Sequence, residues 1–312
     1  MQSGNGWVTC ENGHQHWGLF GAAGILAYVP SPEDQAATLV LLQHRAGWAH
    51  QGGTWALPGG AMDSEETPAE TALREADEEC MLDSKLVVPR GLYSEEHGGW
   101  TYHTVLAQAA EPFRVYPDAY ESDEAVWLPA SEVDRLDLHP GFAGSWPVLR
   151  AALLPLTVFV DGTGSAGALA GLSDPAEPGA AAERLRGYLT ELTRTGITAL
   201  PDGLGAPVLA RWYPDYVLVL SAATAAALVA AAAATPEATD VPPRRPWDRA
   251  LVVRAAEVRI VAVADPAQAG DVITDLIATT PGRRLAVSDR QDVRDRAAAA
   301  GAGVAGLDWV TS

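Results

Sequence analysis

Residues 60–82, GAMDSEETPAETALREADEECML, constrain this chain more than any other stretch, because their spacing specifies a helix and also what its faces carry. Thr67, followed by Pro68 and Glu70, makes a capping box with proline at the first helical position, so a helix is predicted to begin there. Ala69, Ala72, Leu73, Ala76 and Cys80 then recur at helical spacing and predict a narrow, small-residue buried stripe. Opposite it lie Arg74, Glu75, Glu78 and Glu79. Glu75 stands three and four residues before Glu78 and Glu79, so three carboxylates share one face. Like charges at these spacings cost a helix about 0.2–0.5 kcal/mol per pair, and a bound cation would reverse the sign. The helix alone therefore reads either as a solvated acidic face or as a cation site. Oxygen ligands of this kind favour Mg2+ or Mn2+ over zinc.

The flanking sequence supplies strands. Alternating or continuous apolar runs at residues 21–29, 38–44, 86–93, 101–108 and 124–128 read as β, and the glycine-rich QGGTWALPGG leads into the helix. Ser131 is expected to cap a short helix, and residues 142–154 to form another after Pro140-Gly141. This predicts an α+β sandwich with a mixed sheet. Around Pro155 the character changes. Apolar strands at 156–162, 215–222, 258–265 and 284–289 alternate with helices at 180–195, 222–234, 267–279 and 291–300, a pattern of a mostly parallel α/β sheet. With 312 residues, 48% of them hydrophobic, there is material for two cores, so domains are expected at 1–154 and 155–312. A Pro-rich loop is expected at 235–248.

Acidic residues outnumber basic ones 40 to 21, a formal charge of -19 that repels DNA and anionic lipid unless basic groups cluster. The densest basic runs, Arg244-Arg245 and Arg283-Arg284, adjoin Pro and Gly and form no stripe, so no DNA partner is expected. Only Cys10 and Cys80 are present, which fits a reducing, cytoplasmic setting better than a disulfide scaffold. The opening MQSGNGWVTCENGHQHWG has no basic region followed by an apolar core, so no secretory signal is expected. Residues 216–236 are uncharged and long enough to span a bilayer, but they are mostly alanine and broken at Ser221–Thr224; a buried strand followed by an Ala-rich helix is the expectation, with no membrane partner.

The full spacing of residues 60–82 resembles the Nudix box, G-x5-E-x7-R-E-U-x-E-E-x-G-U, where U is bulky and apolar. Gly60, Glu66, Arg74, Glu75, Glu78, Glu79 and Leu82 fall in register; Ala76 is a small substitute at the first apolar slot, and Met81 replaces the last glycine. That resemblance implies an α/β/α sandwich over the first half and a hydrolase that cuts a phosphoanhydride bond in a nucleoside diphosphate linked to a further group. It implies that Glu75, Glu78, Glu79 and the Gly60 carbonyl bind Mg2+ or Mn2+, that Arg74 orients Glu75, and that Glu66 pairs with Arg74. The reaction would be attack of a metal-activated water on phosphorus. The base would come from the helix or from a later loop, where Glu121 is the first candidate and Glu124 the second. Nucleoside triphosphates, including oxidised ones, are the favoured substrates, with ADP-ribose or a biosynthetic nucleotide next, and a homodimer follows only by family analogy.

Tryptophans cluster near loops of this half, and a flat indole can stack on a base. Trp48 and Trp100, in glycine-bearing loops, are the ligand candidates; Trp55 and Trp127 read as core. The segment DLHPGF resembles the place where Nudix enzymes that sanitise oxidised nucleotides read the base, which adds His139 and Phe142, or else marks a turn and helix start. Cys10, His14 and His16 lack a fourth ligand and match no closed zinc spacing. Residues 155–312 loosely resemble NYN/PIN-like nuclease domains, whose parallel sheets gather acidic residues at strand ends to hold magnesium; Asp161, Asp271 and Asp289 match by order and context. The pattern is eroded, with Gly164 and Val272 where that family has polar groups, and Asp275 one turn on. Strand-end aspartates are also ordinary caps, so a degenerate scaffold is the expectation. An RNA-processing nuclease and a non-catalytic nucleotide sensor stand as the alternative functions.

Overall fold

The structure, a computed structural model, describes residues 2–31, 33–49, 51–118, 120–164, 178–234 and 258–311, so the expected Pro-rich loop at 235–248, with Arg244 and Arg245, lies outside the described residues. The chain divides into two compact units, Met1–Leu154 with Pro207–Trp212, and Pro155–Ala206 with Tyr213–Ser312.

In the first unit a hairpin of β1 (Trp7–Thr9) and β2 (Gln15–Trp17) precedes a mixed sheet built on β3 (Ala22–Val29). On one side β3 pairs in parallel with β8 (Thr101–Ala109), and β8 pairs antiparallel with β7 (Val87–Glu96). On the other, β3 meets β4 (Leu39–Arg45) and β6 (Gly59–Ala61), while β4 also takes β5 (Trp55–Ala56) and β9 (Ser122–Pro129). Helix α1 (Pro68–Cys80) lays Ala72, Leu73 and Ala76 into a core with Ala23, Ile25 and Ala27 of β3 and Val105 and Ala107 of β8. Apart from Leu73 the residues that α1 contributes to this contact are alanines, and Glu75 and Glu79 lie next to it along the helix.

Both halves of the predicted capping box form: Thr67 accepts from the Glu70 N–H, and Glu70 accepts from the Thr67 N–H at 2.7 Å. At the other end Met81 sits in the left-handed region, φ 54 and ψ 38, with its N–H turned to Ala76 and Asp77 carbonyls. A side chain with a Cβ pays about 1–2 kcal/mol there, and Met81 is 64% exposed, so little packing offsets it. Replacement Met81→Gly is expected to raise stability by about 0.5–1 kcal/mol once glycine's extra unfolded freedom is subtracted. Calorimetry would read this as a melting temperature higher by about 1–4 °C; an unchanged or lower value would mean the cap is not strained.

Two local expectations need correction. Ser131 caps nothing: a single 3-10 turn spans Val133–Arg135 with Glu132 at its start and no side-chain cap, while the Ser131 N–H goes to the Ala36 carbonyl at 3.2 Å. Helix α2 (Pro140–Ala152) begins two residues earlier than expected, because His139 Nδ1 accepts from the Gly141 N–H at 3.2 Å and Pro140 fits the first turn. The short strands β1, β2 and β6 were not expected from the sequence, nor was the one at residues 211–212. β11 (Arg211–Trp212) pairs antiparallel with β7, Trp212 opposite Gly91, and a Cβ at Gly91 would stand 2.6 Å from Leu209.

The second unit is a five-stranded sheet in which every neighbouring pair is parallel, ordered β13 (Arg259–Val263), β12 (Asp215–Ser221), β10 (Leu156–Asp161), β14 (Arg283–Val287) and β15 (Gly303–Ala305). Among the described residues it carries helices α3 (Pro178–Thr195), α4 (Ala222–Ala234), α5 (Ala269–Thr279), α6 (Gln291–Ala299) and α7 (Asp308–Thr311). Its core includes Phe159, Val217, Val219, Ile273, Ile277, Ala286 and Val293. The uncharged stretch after residue 215 is strand then helix, and no helix among the described residues is long and apolar enough to cross a membrane.

Candidate active site

The acidic face of α1 is not a solvated one. Glu78 is exposed, its side chain 63% accessible, but Glu79 is only 5% exposed and Glu75 is largely covered. Sequence spacing put all three opposite the buried stripe; the approach of β6 and of the loop before β9 sequesters two of them.

Arg74 organises this face. Its guanidinium meets Glu66 through two bonds, Nε to Oε1 at 2.7 Å and Nη2 to Oε2 at 2.8 Å, and donates to Glu75 Oε1 at 2.6 Å and to the Ala61 carbonyl at 3.0 Å. Glu66 also accepts from Thr71 Oγ1 at 2.8 Å and from the Asp63 N–H at 3.1 Å. Burial pushes the Glu66 carboxyl up, but these donors, Arg74 foremost, hold it down at about 2. Glu66 is thus a fixed anion that anchors Arg74. Gly60 faces Glu75 so closely that a Cβ would stand 2.5 Å from its carboxylate, so a side chain there would push Glu75 off its present position.

Glu79 has the opposite electrostatics. Its Oε2 accepts from the Gly59 N–H at 2.8 Å and from Gln43 Nε2 at 2.9 Å. Burial nevertheless raises its carboxyl to about 8, with Glu75 and Glu121 adding to the upward push. Burial likewise raises Glu75, against the pull of Arg74 and with Glu78 and Glu121 opposing ionisation. Glu121 therefore reaches the cluster from the loop before β9, where its carbonyl accepts from the Ala46 N–H at 2.9 Å. Glu124 lies in β9 opposite His44.

Gln43 was missed by the sequence reading. It is 1% exposed and ties the site together: Nε2 serves Glu79, and Oε1 accepts from Ser122 at 2.8 Å and from the Cys80 thiol at 3.6 Å. Its only sequence signal is a polar residue inside the apolar run LVLLQHR. Tyr120 was also missed. Its carbonyl accepts from Trp48 Nε1 at 2.9 Å, and the two rings, 66% and 73% exposed, have centroids 6.2 Å apart beside Glu121.

The other expected ligand contacts divide differently. Trp100 is 8% exposed, stacks on His16 and donates Nε1 to the Gly18 carbonyl at 2.8 Å; Phe142 is buried against Trp146. Both are core residues, and their expected role as ligand contacts is withdrawn. His139 is the cap of α2. In the second unit Asp161 is buried, accepts from Ser288 Oγ at 2.7 Å and Thr163 Oγ1 at 2.6 Å, and faces Arg290 Nε at 3.2 Å. Asp271 is paired with Arg296 at 2.7 Å, and Asp289 accepts from the Leu307 N–H at 3.0 Å. Among the described residues neither these three aspartates nor Glu75, Glu78 and Glu79 bring their ligand atoms all within 4.8 Å of one another.

A divalent cation suits the α1 cluster on two observations. Burial first, and repulsion among Glu75, Glu78, Glu79 and Glu121 second, oppose ionisation of Glu75 and Glu79, a cost that a cation would offset, and the Gly60 backbone lies close against the Glu75 carboxylate.

Comparison with known proteins covers this same region. Residues 22–151 match the NUDIX domain. A candidate 8-oxo-dGTP diphosphatase 3 of Mycobacterium tuberculosis (strain H37Rv) is 48% identical over 161 residues, spanning 50% of this chain and 72% of that protein. A nucleoside triphosphate pyrophosphatase/Nudix hydrolase fusion protein of Bifidobacterium longum is 42% identical over 154 residues, 49% of this chain and 32% of its own. The crystal structure of a Nudix hydrolase from M. smegmatis, RenU, is 50% identical, covering 47% of this chain and 93% of that one with a TM-score of 0.44. The box, its buttressing by Arg74 and Glu66, and a relative matched over most of its length lead to one conclusion: this chain belongs to the Nudix hydrolase family and is a pyrophosphohydrolase.

Proposed function

We propose that the first unit hydrolyses nucleoside triphosphates, oxidised forms included, with Mg2+ or Mn2+ as cofactor. The observation that carries this reading is the convergence of Glu75, Glu79 and Glu121, from a helix and a loop, beside the Gly60 backbone. Glu75, Glu78, Glu79 and the Gly60 carbonyl would hold the ion. Bound there, a divalent cation neutralises phosphate charge and lowers the pKa of water. Arg74 fixes the Glu75 carboxylate, Gln43 and the Gly59 N–H fix Glu79, and Glu121 accepts the proton of the attacking water. Catalysis then rests on positioning and charge neutralisation rather than on a covalent intermediate. Trp48 and Tyr120 offer flat exposed rings next to Glu121, where stacking on a base is worth about 1–3 kcal/mol. The triphosphate preference is supported by the names of the mycobacterial and bifidobacterial relatives.

The test is a panel of ordinary and oxidised nucleoside triphosphates, ADP-ribose, other nucleoside diphosphate conjugates and short RNA, each with and without magnesium. Cleavage of a triphosphate that needs magnesium and is abolished by Glu78→Gln is the expected result. Preference for ADP-ribose would move the substrate class. Tight nucleotide binding without turnover would favour a sensor, and RNA cleavage abolished by Asp161→Asn would move the chemistry to the second unit.

A further inference from the structure

The hairpin of β1 and β2 carries a second set of metal-ligating groups, chemically unlike the carboxylates. Its register pairs Trp7 with Trp17, Val8 with His16 and Thr9 with Gln15, and the Cys10 N–H bonds to the His14 carbonyl at 2.9 Å. Since strand side chains alternate between faces, Cys10, His14 and His16 share one face of the ribbon. Trp7 and Trp17 take the other, edge to face with centroids 5.5 Å apart. Gly13, at φ +80, makes the tight return that carries His14 back over Cys10. The Cys10 sulfur and one nitrogen of each ring lie within 4.8 Å of one another.

Three further observations separate this group from an incidental cluster. The His16 ring is held flat against Trp100, centroids 4.1 Å apart and planes within 10°. Its Nε2 is buried with no hydrogen-bond partner, a rare condition for a polar atom in a folded protein. Cys10 is 6% exposed and carries a free thiol, so its sulfur is sheltered from solvent beside two imidazoles. A third imidazole, His97, borders the group with its centroid 4.9 Å from that of His16.

We propose that Cys10, His14 and His16 bind a zinc ion, with the fourth position open to solvent. A thiolate and two imidazoles select zinc over the hard cations that suit α1, and three protein ligands with one open position is an established zinc arrangement. Bonds of about 2.0–2.3 Å place tetrahedral ligand atoms about 3.5 Å apart, so the three groups, now within 4.8 Å of one another, would draw in on binding. The Cys10 thiol proton passes to solvent on binding. The ion would satisfy His16 Nε2 and staple a ribbon of two three-residue strands that has little stability of its own.

Cobalt(II) added to the reduced, metal-stripped full chain in excess magnesium tests this, because sulfur ligation gives cobalt a near-ultraviolet charge-transfer band that carboxylates cannot give. One equivalent should produce that band together with tetrahedral visible bands, and zinc should displace it. Cys10→Ser should lose the charge-transfer band, and His14→Gln, at an exposed position, should weaken cobalt binding by at least about tenfold. Absence of the band in the unaltered protein, or its persistence in Cys10→Ser, would overturn the proposal. If circular dichroism shows Cys10→Ser to be unfolded, unchanged cobalt affinity in His14→Gln overturns it instead. No turnover is read, so this result stands apart from the outcome for the carboxylate site.

Discussion

Glu79→Gln should abolish most turnover while making the metal-free protein easier to fold. Both oxygens of Glu79 are enclosed, and the two donors that reach it, Gly59 N–H and Gln43 Nε2, bond to the same oxygen, so a carboxamide keeps both bonds by placing its oxygen there. Its NH2 group then points towards the remaining carboxylates and removes one buried negative charge from among them. Loss of a direct metal ligand should exceed the 10–100-fold that loss of a supporting partner typically costs, so kcat at saturating magnesium should fall by more than about 100-fold. The pH dependence of stability follows from the raised carboxyl. In the folded, metal-free protein Glu79 keeps its proton up to about 8, whereas in the unfolded chain it loses it in the ordinary carboxylate range. Between those limits the folded state binds more protons, so stability is fully present at the acid end and is lost as the pH rises towards 8. Thermal melts of the metal-free protein should show that fall, and Glu79→Gln should reduce it, leaving the contributions of Glu75 and Glu95, whose carboxyls burial also raises. Magnesium affinity should climb over the same window, since the ion displaces a proton. Activity within threefold of the unaltered protein, or identical slopes for both proteins, would remove Glu79 from the metal site.

Sequence periodicity located α1 and its capping box because those features are local: four residues decide a helix start, and 3.6-residue spacing decides which side packs. The same arithmetic placed Glu75, Glu78 and Glu79 on one face, but it could not tell how much of that face is covered. Coverage depends on β6 and on the loop before β9, which meet α1 only in the folded chain. Gln43 was hidden for the same reason, since a polar residue in an apolar strand gains meaning only when Glu79, Ser122 and Cys80 are found around it. Trp100 shows the reverse error. A tryptophan after two glycines looks like a loop residue free to meet a ligand, yet β8 begins at Thr101 and draws it under His16 and Gly18. The edge strand at Arg211–Trp212 is two residues long, too short for any alternation to announce it. Parallel strands in the second unit were readable as apolar runs because both faces of such a sheet are buried, but the partners of Asp161 were not: Ser288 and Arg290 come from a strand end 127 and 129 positions away.

Glu121→Gln should separate proton removal from metal binding. The residue sits on backbone fixed at both sides, its N–H bonded to the Asp118 carbonyl at 3.1 Å and its carbonyl to the Ala46 N–H at 2.9 Å, while the next residue, Ser122, is locked to Gln43. The carboxylate is therefore delivered to Glu75 and Glu79 by a loop rather than by the helix that carries the other ligands. A base on such a loop can be replaced by its amide with the backbone bonds intact, so magnesium affinity should change by no more than a few-fold and KM should stay near its original value. Turnover should fall by about 10²–10⁴, the range that a positioned general base supplies. The acidic limb of the pH–rate profile, where the unaltered enzyme gains rate as its base ionises, should flatten in the variant. A merely structural loop carboxylate would lower stability or raise KM without changing that limb. If kcat stays within threefold and the limb persists, the proton is taken by a glutamate of α1, and the loop before β9 serves only to close the site over it.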